Sequence, residues 1–195
     1  MNEENLRNRL LAATAEEKVE LLFDYLKAHG QERYEEEVTQ LAHALQAACQ
    51  AREGGFSDEL VTAALLHDIG HMLADDPVEA NNPTVVNDLH EELAADYLEG
   101  LFPDAVTEPI RLHVPAKRYL CTTDPEYYEA LSEASKKSFH LQGGFMSEEE
   151  RAAFERQPFY REAVQLRIWD DRAKDLEWSV PEIEAYAGAV RQALV

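Results

Sequence analysis

Apolar side chains recur along this chain at three- and four-residue steps. Between Glu16 and Ala28, Val19, Leu22, Phe23 and Leu26 line one face of a helix, and His29-Gly30 ends it. Thr39 to Ala51 repeats the pattern through Leu41, Ala44, Leu45 and Ala48 until Gly54-Gly55. Ser57-Asp58-Glu59 then supplies an N-cap with acidic first-turn residues. The run it opens, Leu60 to Ile69, is apolar on nearly every side and is expected to be central and buried. Pro and Asn punctuation from Asp75 to Pro83 marks a loop. Asp88 to Leu101 reads as helix before Pro103, and Pro109 is placed at the start of a further helix that ends at Pro115. Helical patterns over Pro125 to Ser138, from Ser147, over Pro158 to Lys174 and over Pro181 to Leu194 complete the chain. No alternating β-branched run bounded by turns is present. The expected fold is all-α, one domain over residues 1–195.

Composition narrows the setting. With 45% apolar and 29% charged residues, the 195-residue chain has a soluble globular balance and is long enough to bury a core without covalent staples. It has no apolar run near the roughly 20 residues that cross a bilayer, and its first residues lack a basic export region. Cys49 and Cys121 form no metal-type pair, so a reducing cytoplasm is the expected compartment. The 39 acidic and 18 basic residues give a net charge of −21, which repels nucleic acid and anionic membrane and argues against both as partners. That sign does not exclude a small buried anion, because the local charge of a cavity can oppose the global one.

The chemistry gathers around histidine. His67-Asp68-Ile69-Gly70-His71 ends the most apolar helix, where a polar pair costs several kcal/mol unless it is paired or coordinates a metal. His43, His90, His113 and Asp170 each follow apolar neighbours on other expected helices. One such histidine alone reads as a hydrogen-bonded core residue. Four of them, with two aspartates, are more readily satisfied together by metal. Imidazole and carboxylate without thiolate suit iron, manganese, zinc or nickel.

The order His43, His67-Asp68, His90, His113, Asp170 resembles the two-metal members of the HD-domain superfamily. Five blocks resemble, more narrowly, the PhnZ-like mixed-valent diiron oxygenases, which cleave organophosphonates. These are Val38 to His43, His67 to His71, His113 to Lys117, Leu131 to Gly144, and Leu166 to Lys174. The resemblance implies an HD helical bundle with a two-metal site in its core, holding an Fe(II)/Fe(III) pair with dioxygen as cosubstrate. Asp68 would bridge the irons, His43, His67 and Asp170 would complete one, and His90 and His113 would hold the other. Asp171 is the rival for the last carboxylate. Asp68, Lys117 and His71 would carry catalysis. Lys117, His71, Arg167 and Ser135 would bind the phosphonate, with Ser132 and Ser138 as alternatives to Ser135. Tyr34 would cap one iron and Glu37 would hold a substrate ammonium, with Glu36 as its rival. The implied reaction converts a 1-hydroxy-2-(amino or trimethylammonio)ethylphosphonate into phosphate and glycine or glycine betaine. An HD phosphohydrolase acting on a phosphate ester or nucleotide is the alternative enzyme, and a non-catalytic binding module the alternative outside enzymes.

Overall fold

The computed structural model describes residues 3–33, 38–73 and 89–195. Among them are twelve α-helices, one 3-10 turn and no strand. Helix α1 (Glu3–Ala12) carries no apolar stripe strong enough to read from sequence. It is held by Leu6 and Leu10, one turn apart and both buried. Helix α2 (Ala15–His29) opens with a reciprocal cap in which Thr14 accepts from the Glu17 amide and the Glu17 carboxylate accepts from that of Thr14.

Helix α3 (Gln40–Glu53), capped by Thr39, packs on α4 (Asp58–Leu66), capped by Ser57. Residues Leu60 to Leu66 are all buried, as the unbroken apolar run implied. The expected helix to Ile69 is interrupted, however: α4 ends at Leu66 and a short α5 (Ile69–Leu73) starts again after His67-Asp68. That break turns the His-Asp pair into the interior. Helix α6 (His90–Leu98) follows, then α7 (Asp104–Thr123), α8 (Pro125–Ala130), α9 (Glu133–Leu141), α10 (Glu148–Phe154) and α11 (Tyr160–Arg172). A 3-10 turn (Ile183–Tyr186) leads into α12 (Ala187–Ala193).

Helix α7 corrects the sequence reading. It passes through Pro109 and Pro115 without stopping. An interior proline costs about 3 kcal/mol by deleting a backbone hydrogen bond and crowding the preceding turn. Against that, α7 buries Val106, Ile110 and Val114, each worth roughly 1.5–3 kcal/mol. Tertiary packing against α4, α6 and α11 therefore outweighs the local penalty. The expected helix Pro125 to Ser138 is also two helices. Leu131 is extended (φ −63°, ψ 144°), and the Ser132 hydroxyl caps α9 by accepting from the Ser135 amide at 3.1 Å.

The main core runs from Leu6 and Leu10 of α1 through α4 to Val190 and Ala193 of α12. Two smaller clusters flank α7, one around Ala116, Phe154 and Ala163, the other around Cys121, Leu131 and Phe139. No described helix is long and apolar enough to cross a membrane. The Asp75 to Pro83 loop lies outside the described residues.

Candidate metal centre

Four helices and the break between α4 and α5 deliver six side chains to one place. His43 stands in the first half of α3, His67 and Asp68 in the break after α4, His90 at the first position of α6, His113 in the middle of α7 and Asp170 near the end of α11. Two donor clusters form, His43 with His67 and Asp68, and Asp68 with His90 and His113. They share Asp68. Its Oδ2 lies 3.5 Å from His43 Nε2 and 3.4 Å from His67 Nε2. Its Oδ1 lies 3.5 Å from His90 Nε2 and 3.7 Å from His113 Nε2. Asp170 Oδ1 joins the first cluster 3.3 Å from His43 Nε2. One carboxylate thus faces both clusters, one oxygen to each.

The donor set itself tests whether a metal pair fits. His43 Nδ1 faces the carbonyl of Ala173 at 2.9 Å, His67 Nδ1 that of Ala64 at 2.9 Å, and His113 Nδ1 that of Ile110 at 2.7 Å. A carbonyl only accepts, so each Nδ1 carries the hydrogen and, in a neutral ring, each Nε2 is a bare lone pair. Yet the Nε2 atoms of His43 and His67 sit 3.2 Å apart, as do those of His90 and His113. Lone pairs converging among carboxylate oxygens repel unless a cation lies between them. The residues fit metal ions, and Asp68 belongs to both donor groups.

Burial and charge set the protonation. Burial pushes the His67 and His113 imidazoles down, toward the neutral form that ligates metal. Burial works the same way on His43, but its hydrogen bond to Asp170 and the charges of Asp170 and Asp68 outweigh it and raise its pKa. A proton and a metal there compete for one lone pair. Burial would raise the Asp68 carboxyl, and the surrounding histidines hold it well below its usual range instead. Arg167 does the same for buried Asp170, with an Nη1–Oδ2 distance of 2.7 Å.

Asp171 points elsewhere. Its carboxylate accepts from Arg167 Nε at 3.0 Å, from Arg167 Nη2 and from the Tyr127 hydroxyl. Of the two rival aspartates, Asp170 faces the histidines, and Asp171 anchors the arginine behind it. Arg167 is buried and ion-paired with both.

Lys117, one turn after His113, is only 3% exposed. Its ammonium donates to Ser138 Oγ at 2.7 Å and Gln142 Oε1 at 3.0 Å. Burial, then the charge of Arg167, brings its pKa down to about 7. Of the three serines, Ser138 touches Lys117. Ser132 is the α9 cap, and buried Ser135 accepts the Ser138 hydroxyl through its carbonyl at 3.1 Å. The His71 ring stacks on His90 with centroids 3.8 Å apart. Tyr34, Glu36 and Glu37 lie outside the described residues.

Two participants escaped the sequence reading. Gly70 packs so closely on α6 that an added Cβ would meet the carbonyl of His90. Glu91, next to His90, is 5% exposed, with Oε2 3.5 Å from His90 Nδ1. In sequence it looks like any acidic first-turn residue, and only its burial distinguishes it from exposed Glu92.

Comparison with known proteins adds an independent line. The model of the HD domain family matches residues 36–171. The chain is 48% identical, over 94% of its length and 92% of the relative's, to a hydroxymethylphosphonate dioxygenase of Gimesia maris. It is 39% identical, over 89% of each chain, to a 1-hydroxy-2-(trimethylamino)ethylphosphonate dioxygenase (glycine-betaine-forming) of Leisingera caerulea.

Proposed function

Because the chain belongs to the HD-domain family, in its PhnZ-like branch of oxygenases, we propose that it uses dioxygen to cleave the C–P bond of a small 1-hydroxyphosphonate. The observation that carries this reading is the pair of donor clusters joined through Asp68, with the buried ammonium of Lys117 one turn beyond one of the ligands. Both relatives are named for phosphonates bearing a hydroxyl on the carbon next to phosphorus, and that shared unit supports this substrate class.

In this reading His43, His67, Asp68 and Asp170 hold one metal ion, and Asp68, His90 and His113 hold the other. Bound there, an iron pair with one ferrous and one ferric ion would supply a redox-active centre with an open coordination position for dioxygen, while the substrate carbon gives up all four electrons that dioxygen accepts. The carbonyls of Ala173, Ala64 and Ile110 keep three imidazoles turned with Nε2 inward. Arg167 holds Asp170 in place from behind, and Asp171 with Tyr127 holds Arg167. Lys117 meets the phosphonate. A dianion beside its ammonium opposes the burial that lowers its proton affinity, so substrate draws Lys117 into the charged state. His71 and the serine face of α9 complete the anion site, Tyr34 would cap one iron, and Glu37 or Glu36 would hold an ammonium substituent.

For hydroxymethylphosphonate the balance is HOCH2PO3(2−) + O2 → HCOO(−) + HPO4(2−) + H(+). The C–P bond and one C–H bond break, and carbon and phosphorus each gain one oxygen. A 2-amino or 2-trimethylammonio substrate gives glycine or glycine betaine in place of formate. The test is phosphate release from these three compounds by iron-loaded protein, with and without dioxygen. Release that consumes dioxygen is expected. Dioxygen-independent release from a phosphate ester or nucleotide, with none from the panel, would replace this reading by a hydrolase. Turnover of hydroxymethylphosphonate alone would retire the ammonium role of Glu37 and Glu36.

A further inference from the structure

His90 is turned differently from its three partners. His43, His67 and His113 each give the Nδ1 hydrogen to a backbone carbonyl, whereas His90 Nδ1 faces the carboxylate of Glu91 at 3.5 Å. Glutamate is almost never buried this fully without a partner, and Glu91 is 5% exposed. A helix-start carboxylate needs no burial to favour the N-terminal end of the dipole. Exposed Glu92, one residue on, already occupies that turn and pairs with Arg111.

The two clusters also differ in charge. The first has Asp170 in addition to the shared Asp68, with Arg167 against Asp170. Among the described residues, the second has two imidazoles and the shared carboxylate. A carboxylate close behind a ligand favours a divalent or trivalent ion there. Stacking on His71 fixes the plane of the His90 ring. It does not decide which ring nitrogen carries the hydrogen. An acceptor behind Nδ1 does.

We propose that Glu91 is a positioning residue for the second metal, setting the tautomer and orientation of His90 and supplying behind it the negative charge that Asp170 gives the first cluster directly. Carboxylate–histidine–metal relays of this kind increase the basicity of the ligand. The inference rests on the metal-pair reading of the site.

Two substitutions separate the parts of this role. Glu91→Gln keeps an acceptor and removes the charge. Glu91→Leu removes both. Anaerobic iron titration of each, followed by metal analysis and Mössbauer spectroscopy, is compared with wild type and with Glu92→Gln as the exposed control. The expected result is a loss of about 10–100-fold in affinity for one iron of the pair in Glu91→Leu, a smaller loss in Glu91→Gln, and wild-type binding in Glu92→Gln. Glu91→Gln should also alter the Mössbauer parameters of one iron and leave the other as in wild type. Wild-type affinity for both irons in Glu91→Gln, with an unchanged spectrum, overturns the proposal, and Glu91→Gln carries the test alone if the leucine variant does not fold. Equal weakening of both irons overturns it too, since that result marks a packing role. Fewer than two irons on the wild-type chain would instead refute the metal-pair reading itself.

Discussion

Replacing Gly70 by alanine adds one carbon at the tightest backbone approach in the site. The new Cβ would press on the carbonyl oxygen of His90, 2.8 Å from its carbonyl carbon and 3.0 Å from its Cα, where ordinary contact starts at 3.4 Å. These are backbone atoms at the start of α6, so no side chain can swing aside. Leu89, the residue before, already sits in the left-handed region at φ 46°, a conformation that costs of order 1–3 kcal/mol in a non-glycine residue. The turn has little room to yield further. Overpacking of this kind costs about 1–3 kcal/mol, partly offset by the roughly 0.5–1 kcal/mol that alanine gains over glycine in a helix. Net destabilisation of about 1–2 kcal/mol corresponds to a fall in Tm of roughly 2–8 °C for a chain of this size.

The larger effect should fall on the metal. His90 Nε2 stands 3.2 Å from His113 Nε2 and 3.5 Å from Asp68 Oδ1. Metal–ligand distances tolerate only about 0.2 Å, so a shift of several tenths of an ångström at the start of α6 removes one iron while the other stays. Metal analysis after anaerobic loading and thermal unfolding of the metal-free chain read the two effects separately. Gly188→Ala is the control, because an added Cβ there meets nothing within 4 Å. Two irons at wild-type affinity in Gly70→Ala, with an unchanged Tm, would refute the argument.

The bridge gives the sharpest contrast with single-site variants: Asp68→Ala should lose both irons in a loading assay, because both clusters depend on it. Asp170→Asn should weaken one iron at least tenfold, whereas Asp171→Asn should retain both and lose catalytic rate through a loosened Arg167, as separate iron titrations and kcat measurements would show. Lys117 has a pKa near 7 in the folded metal-free chain against 10.5 unfolded. The unfolded state therefore binds the extra proton between those values, and stability should rise with pH from about 7 toward 10, by up to about 1.4 kcal/mol per unit. Lys117→Met should lack that rise, and parallel pH–Tm curves for the two metal-free proteins would contradict the assignment.

How much of this was legible in the chain differs from part to part. The stripes of α2 and α3, the caps at Ser57 and Ser147, and the all-apolar α4 follow from local chemistry, and the structure keeps them. That these six side chains need partners was also readable, because histidines and aspartates embedded among apolar neighbours demand one wherever they come together, and the structure brings them to one place. What local pattern cannot supply is the balance between a local penalty and a distant contact. Pro109 and Pro115 read as helix ends, and only the faces that α7 buries against α4, α6 and α11 carry the helix through them. Asp170 and Asp171 are adjacent and chemically identical. Which one meets His43 is decided by how α11 is rotated against α3 and by Arg167 and Tyr127 claiming the other. Glu91 and Glu92 likewise differ only in which side of α6 faces inward. The sequence alone determined the helical class, the bounds of a few helices such as α2 and α3, and the types of group that must be buried. The tertiary structure alone decided which neighbours those groups meet, because that depends on helix rotation and close approach, as at Gly70, which are set by the packing of the whole core.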